Sequence, residues 1–124
     1  MAGIEEKMFR MMAKSKIQLA KITGKNLNYL GSITIDGSLM KLADIFPYEI
    51  VMVVNKTTGA RFETYVLEGK KGTGTIELNG GAARLGEVSD ELIIISYEYV
   101  EEKKARKYSP KLVFLDDRNR PKKK

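Results

Sequence analysis

Gly31 and Ser32 stand side by side in the stretch NYLGSITID, just ahead of an alternating apolar run, in a chain with no cysteine and no histidine. Glycine has no Cβ, so the backbone there can take a strained form and the serine hydroxyl can approach the preceding carbonyl. The pair is either an ordinary turn or a point where the chain attacks itself. Lacking cysteine, the chain has no disulfide, thiolate metal site or cysteine nucleophile, and lacking histidine it has no ordinary proton shuttle near neutral pH. No metal site is expected. A Ser-His-Asp triad is excluded, while a Ser-Lys hydrolase built on Ser32 and Lys16 stays conceivable.

The other polar candidates sit on strand-like segments. In RFETY a period of two puts Arg61, Glu63 and Tyr65 on one face and Thr64 on the other. Taken alone, Arg61 and Tyr65 read as half-buried edge residues and Lys16 as a solvated strand start. The run NGGAA, with Gly80, Gly81 and Ala82, reads as a turn, although consecutive backbone N–H groups there could hold an anion. GKKGTG lacks the helix that a phosphate loop needs and reads as a hairpin turn.

These residues must be positioned by short elements. A loose helical turn is expected in 3–14, then a strand in KIQLAKIT with Ile17 and Leu19 on one face and Lys16, Gln18 and Ala20 on the other. SITID alternates again. Ser38 is the expected N-cap of a helix carrying Leu39, Leu42, Ala43 and Phe46, ended by Pro47. EIVMVVN and RFETYVLEG form a hairpin, TIELN is a strand, GGAARLG a single helical turn, DELIIISYEYV the most apolar strand, and PKLVFLD the last one. The expectation is a mostly β single domain over 1–124, with six or seven short strands, two short helices and a closed barrel that leaves no bare edges.

The chain has 124 residues and a net charge of +6. Residues 1–100 hold 12 basic and 12 acidic residues, and residues 101–124 hold 10 and 4, so the excess lies in the last stretch. The basic tail, 117–124, reads as a solvated, frayed terminus rather than a nucleic-acid element. No apolar run is long enough to span a membrane and no signal peptide is evident, so a cytoplasmic protein without nucleic-acid or membrane partners is expected.

In order along the chain, MFRMMAKSKI, LAKIT, NYLGSITID, GARFETY, ELNGGAA, IIISY and ARKYSPKLVFLD resemble the pyruvoyl-dependent aspartate 1-decarboxylases over roughly residues 8 to 120. The resemblance implies a double-psi β-barrel, a homotetramer with sites between subunits, and L-aspartate as substrate for β-alanine and pantothenate synthesis. It implies self-cleavage between Gly31 and Ser32 into 1–31 and 32–124. Ser32 Oγ would attack the Gly31 carbonyl, and elimination and hydrolysis would leave a covalent pyruvoyl cofactor that takes the substrate amine as a Schiff base. By the same resemblance Tyr65 is the proton donor, Thr64 helps self-processing and lines the substrate site, and Lys16 and Arg61 meet the carboxylates. Gly80, Gly81 and Ala82 contact substrate through backbone, and Tyr29 and Asn79 fall on pocket positions. A maturation factor is a further partner the family allows. The chain departs from the pattern at Gln18, where many relatives have histidine, and at Val54, where some have tryptophan. Residues 1–7 lie outside the resemblance as an extension. A non-catalytic β-barrel whose basic tail meets nucleic acid is the alternative from another class.

Overall fold

The computed structural model describes residues 6–123. In chain order the elements are β1 (Phe9–Lys21), β2 (Gly24–Asn26), β3 (Ser32–Asp36), α1 (Gly37–Ala43), β4 (Ile50–Asn55) and β5 (Arg61–Gly69). They continue with β6 (Ile76–Asn79), a 3-10 helix (Gly80–Leu85), β7 (Glu91–Glu101), α2 (Glu102–Ala105) and β8 (Lys111–Phe114). The strands make one sheet in the order β2-β6-β3-β5-β4-β7-β1-β8. β4 and β5 pair as the expected antiparallel hairpin, whereas β3 runs parallel to β5 and β1 parallel to β8.

The count is eight rather than six or seven, because β2 is only three residues, Gly-Lys-Asn, with no apolar alternation to reveal it. β2 and β8 lie at the two ends of the sheet. Hydrogen bonds tie residues that flank these strands to β6, to the end of β1 and to the turn before β6. The Thr23 N–H donates to the Ile76 carbonyl at 2.7 Å. Asn119, beyond β8, donates through Nδ2 to the carbonyls of Lys21 and Gly74 and accepts from the Lys21 N–H.

Alternation along the strands fills one core. Val51 and Val53 are fully buried while Ile50, the first residue of β4, is exposed, and Ile17, Ile33, Val66, Leu78 and Ile94 close the same interior. Each such side chain contributes about 1.5–3 kcal/mol through burial.

Four local expectations are corrected. The segment 3–14 is not helical where it is described: from Phe9 it is strand, paired residue by residue with β7, and residues 1–5 lie outside the described part. Leu19 does not share a face with Ile17. The β1–β7 register shifts between Ile17 and Ala20, Leu19 takes φ 65°, and the bulge turns Ala20 into the core beside Ile17. The cap of α1 is Asp36, not Ser38: its carboxylate accepts from the Ser38 N–H at 2.8 Å, and the helix stops at left-handed Asp44, leaving Leu42 and Phe46 exposed. The basic tail is not frayed through its described length. Asn119 is buried, Leu115 bridges Pro121, and the Lys122 N–H donates to the Phe114 carbonyl.

Candidate active site

Ser32 opens β3 and is paired with Asn79 in the β3–β6 ladder, one residue ahead of the point where β3 joins β5. Its side chain is fully buried. The hydroxyl donates to the Leu30 carbonyl at 3.0 Å and its oxygen accepts from Asn79 Nδ2 at 3.0 Å. Asn79 sits directly opposite Ser32 in the β3–β6 ladder, and its Nδ2 also donates to Thr34 Oγ1 at 2.9 Å. Thr34 thus orients the amide that holds the serine oxygen. The sequence reading missed Thr34, although the period of two that groups Ser32 with it was there to be read.

The segment entering β3 is open. Tyr29, Leu30 and Gly31 are exposed, so a buried hydroxyl lies directly behind an accessible peptide bond. A Cβ on Gly31 would meet nothing within 4 Å, and Gly31 has no positive φ, so the folded chain would accommodate a side chain there. The steric demand for glycine falls on Gly80 instead. Gly80 takes φ 60°, and a Cβ on it would lie 2.7 Å from both the Gly31 nitrogen and the Tyr29 carbonyl oxygen. Gly80 follows Asn79 and starts the 3-10 helix, so one short segment presses on both sides of the Gly31–Ser32 peptide. Gly81 is exposed and Ala82 is buried behind it.

β5 supplies the next group of residues. Ile33 pairs with Val66 in the parallel β3–β5 ladder, so Ser32 and Tyr65 each precede that pair by one residue on neighbouring strands. Thr64 and Phe62 lie opposite buried Val51 and Val53, while Tyr65 lies opposite exposed Ile50, which confirms the expected division of faces. Arg61 is exposed at the start of β5, opposite Val54, and acts electrostatically with Glu63 on Tyr97. Burial and the Glu63 charge push the Tyr97 phenol up, against a smaller opposite effect from Arg61. The Tyr65 ring packs against Tyr48, centroids 6.0 Å apart and tilted by 32°.

Lys16 is not part of this group within one chain. It pairs with Ile95 of β7 and Leu112 of β8, so β5, β4 and β7 separate β1 from β3. Four steps of about 4.8 Å put it on the order of 19 Å from β3 measured along the sheet. The Ser32 hydroxyl is instead hydrogen-bonded to Leu30 and Asn79, and Lys16 makes no ion pair among the described residues. Of the other sequence-derived residues, Ser32, Gly31, Asn79, Gly80 and Tyr29 meet where β3 starts and β6 ends, with Thr64 and Tyr65 at the middle of the neighbouring β5, Gly81 and Ala82 following Gly80, and Arg61 at the start of β5.

Comparison with known proteins bears on this arrangement. The family model described as aspartate decarboxylase matches residues 8–122. A protein of Thermoanaerobacter pseudethanolicus named aspartate 1-decarboxylase is 55% identical over 114 residues, 92% of this chain and 97% of its own. Proteins of the same name from Pelotomaculum thermopropionicum and Kosmotoga olearia are 56% identical over 113 residues and 55% identical over 114, covering 91% and 92% of this chain and 86% and 97% of theirs.

Proposed function

Because the chain belongs to the aspartate decarboxylase family, we propose that it converts L-aspartate to β-alanine and CO2 by way of a pyruvoyl group made from its own Ser32. The observation that carries this reading is the buried Ser32 hydroxyl, held by Leu30 and Asn79 directly behind the exposed Gly31 peptide.

In the proposed maturation Ser32 Oγ bonds to the Gly31 carbonyl carbon as the carbon–nitrogen bond breaks, giving an ester. Asn79 holds the attacking oxygen in place, and the hydroxyl proton, which the folded chain directs at the Leu30 carbonyl, ends on the Ser32 nitrogen, which is released as an amine. Loss of the Ser32 α-proton then expels the oxygen with Gly31 as a carboxylate, and water converts the resulting double bond to a ketone with release of ammonia. The residues present fit such a group. Its position is buried, a donor amide from Asn79 points at the former oxygen, and Gly80 leaves no side chain in the way. The pyruvoyl group supplies an electrophilic carbonyl and an electron sink for the pair released with CO2.

The chain's own residues do the rest. Tyr65, beside Ser32 on the neighbouring strand, delivers the proton to the decarboxylated carbon, and Thr64 assists self-processing. Arg61 grips a substrate carboxylate, for which the guanidinium fork is suited. Gly81 and Ala82 offer backbone to the substrate. Lys16 serves the site of a neighbouring subunit in a homotetramer, a reading supported by its distance from β3 and by its unpaired charge. Exposed Phe9, Met11 and Tyr99 on the outer part of β1 and β7 supply apolar surface for that assembly. The eight-stranded sheet is read as a double-psi barrel, a reading supported by Asn119, which ties the segment after β8 to the turn that leads into β6. A cytoplasmic role feeding pantothenate synthesis completes the proposal.

Intact mass spectrometry and a denaturing gel test it. Wild type should give two fragments split at Gly31–Ser32 and release CO2 from aspartate. Ser32→Ala should stay full-length, folded and inactive. Fragments appearing in that variant would overturn the mechanism.

A further inference from the structure

The turn between α1 and β4 carries a tyrosine whose placement is unfavourable for the backbone and unrewarded by burial. Tyr48 takes φ 70°, a region a bulky side chain rarely adopts, and is 73% exposed. The surrounding backbone is nonetheless tightly fixed. The Tyr48 N–H donates to the Val66 carbonyl at 2.6 Å, and the Val66 N–H donates to the Glu49 carbonyl at 3.0 Å. The Glu49 carboxylate accepts from the Phe46 N–H at 3.0 Å and pairs with Lys14 of β1 at 2.8 Å. Tyr48 is thus locked to the residue that follows Tyr65, and its ring lies against the Tyr65 ring at 6.0 Å, within the range of an attractive aromatic pair. Glycine would relieve the φ 70° backbone, so what tyrosine adds at this position is the ring.

We propose that Tyr48 is a positioning residue, which by packing on the Tyr65 ring holds the phenol in the orientation that delivers the proton to one face of the decarboxylated carbon. The inference rests on the reading of Tyr65 as the acid. A proton donor that swings freely loses both rate and facial selectivity, because proximity and orientation are the source of its effect.

Tyr48→Gly and Tyr48→Asn both tolerate the left-handed backbone and remove the ring, whereas Tyr48→Phe keeps it. In the Gly and Asn variants, self-cleavage should be normal, the melting temperature at or above wild type, and KM for aspartate within about twofold. Turnover should fall about tenfold, the scale of one aromatic pair. Reaction in D2O should give β-alanine with one deuterium on the former α-carbon as a mixture of the two epimers rather than as one. Tyr48→Phe should restore rate and selectivity. In uncleaved Ser32→Ala chain with labelled tyrosine rings, the Tyr65 ring resonances should move on Tyr48→Gly and hold on Tyr48→Phe.

Wild-type turnover and selectivity in both ring-less variants, or an unmoved Tyr65 resonance, would overturn the proposal. Tyr65→Phe run alongside separates the two ideas. If it turns over at the wild-type rate, the acid assignment fails, while the resonance measurement still decides whether Tyr48 orients the ring.

Discussion

Gly80 packs on Gly31 so closely that a single added carbon on Gly80 would overlap the Gly31 nitrogen at 2.7 Å and its Cα at 2.8 Å. The residue that needs to be glycine for steric reasons is therefore the partner of the proposed cleavage site. Gly80→Ala must shift the 29–31 segment and also hold alanine at φ 60°, which costs about 1–2 kcal/mol by itself. The expected outcome is a lower melting temperature and slower self-cleavage, followed as the full-length band on a denaturing gel over time. Cleavage at the wild-type rate would show that the contact does not shape the reacting peptide.

Tyr65 and Arg61 should fail in different ways. Tyr65→Phe keeps the ring and its contact with Tyr48, so the chain should mature normally while turnover drops roughly 10²–10⁴-fold, the usual worth of a positioned acid. Arg61→Ala should mature normally too but raise KM by about 10–100-fold, since a carboxylate loses a charged hydrogen-bond partner. Steady-state kinetics on matured protein checks both, and a Tyr65→Phe enzyme with wild-type kcat would assign the proton to another donor.

Asp36 makes stability depend on acid. Its burial raises the carboxyl's affinity for a proton, but hydrogen bonds from the Ser38 hydroxyl and from the amides of Gly74, Ser38 and Gly72 outweigh this and hold it below the ordinary 3.8. Folded Asp36 thus binds protons less readily than unfolded Asp36. The stabilisation is complete above the unfolded value and is lost as pH falls through the folded one. Asp36→Asn should cost about 1–3 kcal/mol at neutral pH and flatten the fall of melting temperature below pH ~4. Equal slopes for the two proteins would remove Asp36 from the account.

The tail should matter for stability and not for chemistry. Asn119 is 1% exposed and makes three backbone hydrogen bonds, so Asn119→Ala should cost about 2–4 kcal/mol in urea unfolding. Deleting Pro121 to Lys124 removes the Leu115 bridge and the Lys122 hydrogen bond, and should lower the melting temperature while turnover stays near wild type. A large loss of turnover would place the tail near the site.

Much of the fold was legible because strands that are buried on one face must alternate. Val51 and Val53 announce β4, and Phe62, Thr64 and Val66 announce the inner side of β5. Local rules failed where a distant partner decides the outcome. The bulge at Leu19 follows from the register with β7, and β2 exists because β6 offers it an edge. Asn119 is an ordinary polar residue in a charged tail until Lys21 and Gly74 come to meet it. For the site, Ser32, Asn79 and Tyr65 were readable from the motif. The contact of Gly80 with Gly31, the amide bridge through Thr34 and the ring of Tyr48 depend on segments that only folding brings together.

β1 lies inside the sheet, with β7 on one side and β8 on the other. Cutting the chain after Gly31 would leave that interior strand on the smaller product, held by ladders to the larger one. The assembled state would persist, since removing the strand means breaking the core around Ile17 and Ala20. The route back would change its order. Each subunit of an uncut chain folds at a rate independent of concentration before any assembly, whereas the cut enzyme must first find its missing strand by diffusion. Dilution would then slow recovery after denaturation, and maturation would act as a one-way latch, closed while the chain is still one molecule.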